Sequence, residues 1–166
     1  VSEQAGIFGG INGYGLGISV ADFNKDGYPD IYVGNDFHED DYYYINNGDG
    51  TFTDKLKEYF GHTSRFSMGN DVADINHDGL PDIISLDMLP EDELVLKTSE
   101  GDDNFQTQKM RVKDFGYHYQ FTRNMLYVNQ PNSPYLETAL LSGIAATDWS
   151  WSSLFGDYNQ DGEQDL

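Results

Sequence analysis

Residues 22–30 read D-F-N-K-D-G-Y-P-D, and the same pattern returns as D-I-N-H-D-G-L-P-D at 74–82 and as D-Y-N-Q-D-G-E-Q-D at 157–165. All three stretches fit D-x-N-x-D-G-x-x-D, and we refer to them as loop 1, loop 2 and loop 3. A pattern that recurs along one chain is typical of a protein in which a single structural unit is used several times. The loops therefore guide how the rest of the sequence is divided.

The segments that follow the loops predict β-strands in the same order in two units. The apolar runs that we interpret as strands lie at 31–33 and 42–45 in the first unit, and at 83–86 and 125–128 in the second. Turn-forming residues close both units, N-N-G-D-G-T-F at 46–52 and N-Q-P-N-S-P-Y at 129–135. Short strands bounded by turns predict an all-β fold, and a period of about 50 residues suits a four-stranded β-propeller blade.

The spacing of the loops also predicts an inserted segment. The loop starts lie 74 − 22 = 52 and 157 − 74 = 83 residues apart, so the second unit carries 83 − 52 = 31 extra residues. We place the insertion at about 89–120, and we expect it to be a surface loop. The predicted repeats are then 1–51, 52–134 and a truncated third at 135–166. Because the chain starts at Val1 rather than Met, we expect it to be an excerpt of a longer one.

Each loop offers a set of oxygen atoms that suits a hard divalent cation. Calcium takes six to eight oxygen ligands at about 2.3 to 2.6 Å, and the glycine at position six permits the sharp turn that gathers them. We predict three calcium sites that use the side chains at positions one, three, five and nine and the backbone carbonyl at position seven. The predicted ligands are Asp22, Asn24, Asp26, Tyr28 and Asp30 in loop 1, Asp74, Asn76, Asp78, Leu80 and Asp82 in loop 2, and Asp157, Asn159, Asp161, Glu163 and Asp165 in loop 3.

Other interpretations of the loops fit less well. A single copy could be an ordinary polar turn, but three matching copies argue against this. Magnesium prefers a rigid octahedron that retains water, and zinc prefers His or Cys ligands. The chain has no cysteine, and we assign none of its four histidines, at positions 38, 62, 77 and 118, to a metal.

Composition excludes several classes of partner. A formal net charge of −20 excludes general affinity for nucleic acid or for anionic lipid, because both need a basic surface. With 38% hydrophobic residues, 12 Tyr and 10 Phe, the chain has enough apolar surface to fold. No apolar run reaches the length of about 18 residues that spans a bilayer, so we expect no membrane insertion.

The loops, the G-x-x-V-A strand before loop 1 and the N-N-G-D-G-T-F turn together resemble FG-GAP or VCBS repeats. Such repeats occur in integrin α subunits and in secreted bacterial relatives of cartilage acidic protein. The resemblance implies blades from a seven-bladed propeller, with calcium bound through positions one, three, five, seven and nine of each loop. The sequence departs from this family in holding only about two complete blades plus parts, and in its insertion.

We expect a module that binds a protein or glycan ligand, in which calcium is structural. Extracellular calcium modules have dissociation constants of about 0.1 to 1 mM, so we expect an extracellular, cell-surface or periplasmic location. Blade edges left exposed could also pair between chains. Trp149 and Trp151 alternate, and we interpret them as core residues in preference to platforms that stack against a sugar.

The alternative is an architectural propeller that belongs to, or is attached to, a carbohydrate-active or other hydrolytic enzyme. Catalysis within this chain would need paired carboxylates such as Glu91 and Asp92, or Asp102 and Asp103, with separated pKa values. No nucleophile motif or phosphate-binding loop accompanies them, and a run of charge is usually a solvated face. We therefore expect no catalytic activity.

Overall fold

A computed structural model describes residues 1–8, 13–99 and 104–166 of the chain. These residues form mostly β-structure, with ten strands and four short helices. The strands are β1 (Gly13–Ala21), β2 (Asp30–Phe37), β3 (Tyr42–Asn46), β4 (Phe52–Asp54), β5 (Thr63–Ser64), β6 (Asn70–Ala73), β7 (Asp82–Ser85), β8 (Gln120–Phe121), β9 (Met125–Val128) and β10 (Leu136–Glu137). The helices are α1 (Leu56–Tyr59), α2 (Glu93–Thr98), α3 (Phe105–Lys113) and α4 (Ala139–Ser142). The predicted all-β fold is confirmed at this level.

Two four-stranded antiparallel sheets have the same strand order relative to their loops. Sheet 1 has the order β1-β2-β3-β4, and sheet 2 has the order β6-β7-β9-β10. Loop 1 joins β1 to β2, and loop 2 joins β6 to β7 in the same way. The four strands predicted from apolar runs are confirmed as β2, β3, β7 and β9, and β5 pairs with β8 in a small parallel sheet.

The two sheets pack with opposite faces against each other. Tyr32 and Ile84 stand in equivalent places, two residues after the last Asp of their loops. Tyr32 belongs to the core between the sheets, with Tyr43 from sheet 1 and Ile83 from sheet 2. Ile84 faces the other way, into a second core. Sheet 1 therefore meets sheet 2 through one face, and sheet 2 presents the equivalent face to residues 139–155.

Glycine allows the inner strands of the sheets to approach closely. A Cβ on Gly17 of β1 would lie only 2.8 Å from the backbone nitrogen of Asn70 in β6. Ile18 and Val20, which alternate with the small residues of β1, point to the other side and are 68% and 61% exposed. One face of sheet 1 is thus packed while the opposite face of β1 is open to solvent.

The insertion differs from the expected loop, because it contains α2 and α3. Asp92 caps α2 by accepting hydrogen bonds from the backbone N–H groups of Leu94 and Val95. Asn104 caps α3 in the same manner by accepting from the N–H of Thr107. Short helices can form here because side-chain caps satisfy the first N–H groups, although α2 buries no side chain.

After α3 the insertion returns to the end of sheet 1 that lies away from loop 1. The backbone N–H of His118 donates to Asp40 at 2.9 Å, and Gln120 Nε2 donates to the carbonyl of Glu39 at 3.0 Å. Lys57 Nζ donates to the carbonyl of Gly116 at 2.6 Å. The insertion is therefore fixed to the connection between β2 and β3.

Two further features bear on the predictions. Trp149 and Trp151 lie outside any strand and are 60% and 65% exposed, so their interpretation as core residues was wrong. Across residues 1–8, 13–99 and 104–166, the helices are all too short and too polar to cross a bilayer.

Candidate metal centre

The three loops have the same backbone conformation. The residue at position four has a positive φ in each case, 60° at Lys25, 58° at His77 and 64° at Gln160. The glycine at position six has φ values of 91°, 84° and 94° at Gly27, Gly79 and Gly162. A Cβ on Gly27 would meet no atom within 4 Å, so the dihedral angle and not crowding is what favours glycine here.

The first three predicted side-chain ligands turn into the loop and accept hydrogen bonds from its backbone. In loop 1 the N–H of Asp26 lies 3.0 Å from both Asp22 Oδ1 and Asn24 Oδ1. The other oxygen of Asp22 accepts from the N–H of Gly27 at 2.9 Å, and Asp26 Oδ1 accepts from the N–H of Tyr28 at 2.9 Å. The oxygens of positions one and three are therefore directed at one point inside the turn.

Loops 2 and 3 repeat these contacts. Asp78 N–H donates to Asp74 at 3.1 Å, and Gly79 N–H donates to the same carboxylate at 2.8 Å. In loop 3, the backbone N–H groups of Asp161 and Gly162 both donate to the carboxylate of Asp157 at 3.0 Å. In all three loops the amide nitrogen of the position-three Asn donates to the position-five Asp, at 2.9 to 3.0 Å.

The aspartate at position nine lies beneath the turn. Asp30 is completely buried and accepts hydrogen bonds from the N–H groups of Phe23 at 3.0 Å and Asn46 at 2.8 Å. Burial raises the pKa of Asp30 above its usual range, although those hydrogen bonds lower it, and the charges of Asp26 and Asp22 raise it further. The carboxylate group is thus held in place by backbone donors.

Asp82 repeats this arrangement in loop 2, where its donors are the N–H groups of Ile75 at 3.0 Å and Asn129 at 2.7 Å. Burial again raises the pKa of Asp82, and Asp78 and Asp74 add to the effect. In loop 3, Asp165 accepts from the N–H of Tyr158 at 3.0 Å. In all three loops the position-nine carboxylate therefore accepts from the backbone N–H of position two, whereas full burial and a second backbone donor are found in loops 1 and 2.

The donor set agrees with the requirements of a hard cation. An ionised carboxylate has about four acceptor positions, so one backbone hydrogen bond per oxygen still leaves lone pairs for a metal. Side-chain oxygens of charged or amide type and no sulfur are what calcium prefers. Within the described part of the chain, no group of three or more His, Cys, Asp and Glu side chains has the arrangement of a metal site. Calcium at the fifteen ligand positions thus stays a prediction.

Sequence reasoning missed Asn46 and Asn129, which it treated only as turn residues. Asn46 follows Asp30 by 16 residues and Asn129 follows Asp82 by 47, and the difference, 47 − 16 = 31, equals the length of the insertion. The side-chain amide of Asn129 also reaches loop 1, where it donates to the carbonyl of Phe23 at 2.9 Å. The matching spacing was the signal that could have revealed these residues.

The histidines and acidic pairs have other contacts. His77 Nε2 lies 2.8 Å from Glu163 Oε2, which links loop 2 to loop 3 at the surface. His118 Nε2 contacts the carbonyl of Phe60 at 2.8 Å, and His62 lies beside Glu137. Asp92 serves as a helix cap, whereas Asp102 and Asp103 lie outside the described residues.

Two buried carboxylates were not singled out by sequence. Asp41 accepts from the Tyr32 hydroxyl at 2.7 Å and from the backbone N–H of Asn35 at 2.8 Å, and burial raises its pKa to about 7. Asp87 accepts from Ser64 Oγ at 2.5 Å and from the N–H of Arg65 at 3.0 Å. Both carboxylates thus accept hydrogen bonds from a side-chain hydroxyl and from a backbone N–H group.

Comparison with known proteins identifies one part of the chain. No curated protein matches the sequence. Residues 22–85, however, match the FG-GAP-like repeat family, and this span runs from the start of loop 1 to the end of β7. The resemblance predicted from the loops is thereby confirmed for this span. The chain therefore carries an FG-GAP-like repeat at residues 22–85.

Proposed function

We propose that the protein is a calcium-binding, integrin-like repeat module in which the ions are structural. The observation that carries this proposal is that loops 1, 2 and 3 share one conformation and one pattern of hydrogen bonds. A turn used only as a connector needs neither three carboxylates nor residues with positive φ at position four. Bound calcium would supply positive charge between carboxylates that otherwise repel one another.

The sheets support the proposal that these units are propeller blades. Both have four antiparallel strands in the same order, and both place a D-x-N-x-D-G-x-x-D loop between the first two strands. The contact between opposite faces is the type that stacks identical blades around an axis. We propose that the chain contributes blades to a seven-bladed propeller, as the FG-GAP-like repeat suggests.

The calcium affinity expected of such loops bears on where in or outside the cell the protein acts. With a dissociation constant of about 0.1 mM and calcium at about 1 mM, each site adds about 1.4 kcal/mol to the free energy of unfolding. Three ions would also reduce the formal net charge from −20 to −20 + 6 = −14. Sites of this strength fill where calcium is abundant, which favours a secreted, surface or periplasmic protein.

The end of sheet 1 that lies away from loop 1 offers a place for a ligand. A cavity of about 350 Å³ lies between this end and the insertion. Its lining combines aromatic and charged side chains, including Tyr42, Tyr117, Glu39 and Lys57. Aromatic rings beside carboxylates suit a glycan or a peptide side chain, and we propose that the protein or glycan ligand binds there.

Calorimetric titration with calcium and thermal melting test the metal proposal. Binding of about three ions is expected, and removal of calcium with a chelator is expected to lower the melting temperature by about 8 to 16 °C. Asp26→Asn removes one charged ligand of loop 1 and is expected to lose about a third of this effect. The matched control is Asp114→Asn, because Asp114 is an exposed acid outside the loops. A melting temperature that does not respond to calcium would refute the proposal.

Screening of glycan and peptide arrays tests the binding role. Tyr117→Ala is expected to weaken the binding of a ligand that occupies the cavity. Tyr119→Ala, two residues further along the chain and outside the cavity lining, is expected to leave this binding unchanged.

A hydrolase and lyase screen in calcium buffer tests the non-catalytic role. Turnover that disappears in Glu91→Gln would favour the enzyme alternative.

A further inference from the structure

A continuous line of buried hydrogen bonds joins the position-nine aspartates of loop 1 and loop 2. Asp30 accepts from the N–H of Phe23 at 3.0 Å, and the carbonyl of Phe23 accepts from Asn129 Nδ2 at 2.9 Å. The backbone N–H of Asn129 then donates to Asp82 at 2.7 Å. All four residues are buried, so no contact in the line exchanges easily with water.

Asn129 holds both loops with a single side chain. Besides the carbonyl of Phe23, its amide nitrogen also contacts the carbonyl of Pro81 at 3.2 Å, so both amide hydrogens are used. The carbonyl of Phe23 belongs to the same peptide group as the nitrogen of Asn24, the third residue of loop 1. Displacement of Asn129 would therefore move the backbone of a predicted ligand in loop 1 and the support of Asp82 in loop 2.

Asn46 shows which part of this arrangement is specific. Its N–H donates to Asp30 and its amide nitrogen donates to the carbonyl of Pro29 at 3.0 Å, just as Asn129 does with Asp82 and Pro81. Of these two asparagines, Asn129 is the one with an additional contact to a second loop among the described residues. Asn46, the last residue of β3, contacts its own loop, whereas Asn129, which follows β9, contacts two loops.

We propose that Asn129 is a positioning residue that couples calcium binding at loop 1 to calcium binding at loop 2. This inference rests on the proposed calcium function. When an ion fixes the backbone of loop 1, Phe23 is fixed with it, and the Asn129 amide and the Asp82 carboxylate are fixed in turn. By linkage the effect is reciprocal, and coupling of this kind changes affinity by about 5-fold or more.

Nuclear magnetic resonance can follow each loop separately during a calcium titration. The amide protons of Gly27, Gly79 and Gly162 donate to the position-one aspartates, so their shifts report loops 1, 2 and 3 individually. Asp22→Ala disables loop 1, and it is expected to weaken calcium binding at loop 2 by about 5-fold or more. Binding at loop 3 is expected to stay unchanged.

Asn129→Ala tests the connection itself. This variant retains the backbone N–H that supports Asp82, and in its background Asp22→Ala is expected to have no effect on loop 2. Asn46→Ala is the matched control, because it removes an amide without touching the second loop, and it should preserve the coupling. Without calcium, Asn129→Ala should also speed hydrogen exchange of the Phe23 amide, and Asn46→Ala should do so much less.

The outcomes separate the two proposals. If no glycine amide shifts at calcium up to about 10 mM, the calcium function and the coupling both fail. If all three loops bind calcium but Asp22→Ala leaves loop 2 unchanged, the calcium function stands and the coupling is overturned. If Asn129→Ala is too unstable to study, Asn129→Ser supplies the test, because it also removes the amide that donates to the carbonyl of Phe23.

Discussion

The hydroxyl of Tyr32 donates a hydrogen bond to Asp41 at 2.7 Å, and both residues are completely buried beside the core that joins the two sheets. Ser67 Oγ, on the connection between β5 and β6, donates to the same carboxylate at 3.0 Å. A titratable group from sheet 1 is thus placed where sheet 2 begins. The protonation state of Asp41 should consequently affect how firmly the sheets hold together.

Asp41→Asn is expected to change the pH dependence of stability. Because burial raises the pKa of Asp41 from 3.8 to about 7, the folded state binds more protons than the unfolded state between these values. The contribution of Asp41 to the free energy of unfolding then falls as pH rises through this window, by up to about 1.4 kcal/mol per pH unit. Asparagine cannot ionise, so the variant should gain stability relative to wild type as pH rises.

Urea unfolding in chelator at about pH 5, 6 and 7 measures this difference. Asp114→Asn, an exposed substitution with the same change of charge, is the control and should follow the wild-type profile. A difference between Asp41→Asn and wild type that stays constant across this range would contradict the prediction.

Gly27→Ala is expected to destabilise the calcium-free protein by about 1 to 2 kcal/mol, because a residue with a Cβ is strained at φ 91°. Gly61→Ala is the matched control. A Cβ at either position meets no atom within 4 Å, but Gly61 has no positive φ. Urea unfolding in chelator compares the two, and equal stabilities would show that the turn tolerates other conformations.

Arg123→Met is expected to destabilise the protein by about 2 to 4 kcal/mol at neutral pH. Arg123 Nη2 lies 2.5 Å from Glu137 Oε2, and the two side chains are only 14% and 11% exposed. Burial opposes ionisation of Glu137, but hydrogen bonds from His62, Arg123 and Ala139 N–H outweigh it and hold the pKa at about 2. This stabilisation is present above pH 4.5, the ordinary pKa, and is lost as pH falls toward 2.

The loss caused by Arg123→Met should therefore shrink on acidification, as chemical denaturation at several pH values would show. Lys55→Met provides the comparison, since Lys55 forms an exposed ion pair with Glu58 at 2.8 Å. Loss of a solvent-exposed pair should destabilise the protein much less, because water and salt screen the two charges. Equal losses in the two variants would argue against a special role for the buried pair.

Trp149 and Trp151 are the two tryptophans of the chain, and both are exposed. Acrylamide should consequently quench the fluorescence of the folded protein nearly as well as that of the unfolded protein. The single variants Trp149→Phe and Trp151→Phe assign the signal to each ring. An emission spectrum that shifts strongly to longer wavelength on unfolding would show instead that these rings are buried.

The repeat was predictable because its signals are local. Each loop has its ligand types and its glycine within nine consecutive residues, and loops 1 and 2 lead directly into β2 and β7. The strands β2, β3, β7 and β9 lie where the apolar runs predicted them. The alternation of Trp149 and Trp151 was misleading, because neither residue lies in a strand and both side chains are exposed.

The missed features gave weaker sequence signals, and the contacts that they make join distant parts of the chain. Arg111 is the one buried residue of α3, so the helix lacks the apolar face by which a sequence pattern predicts a helix. Its cap at Asn104 was a readable signal. The contact of Asn129 with Phe23 spans 106 residues and that of Ser67 with Asp41 spans 26, and both exist only once the sheets have come together.

The meeting of sheet 1 and sheet 2 is heterologous, because Tyr32 lies in their shared core while its counterpart Ile84 faces onward. Such a contact has a direction, and a two-fold symmetric pair cannot reproduce it. A unit joined by the same contact to the open face of β1 would be related to its neighbour by the same fixed rotation. Repetition of one rotation either returns to its starting point as a ring or advances as a spiral, so the angle between these two sheets sets the number of units per turn.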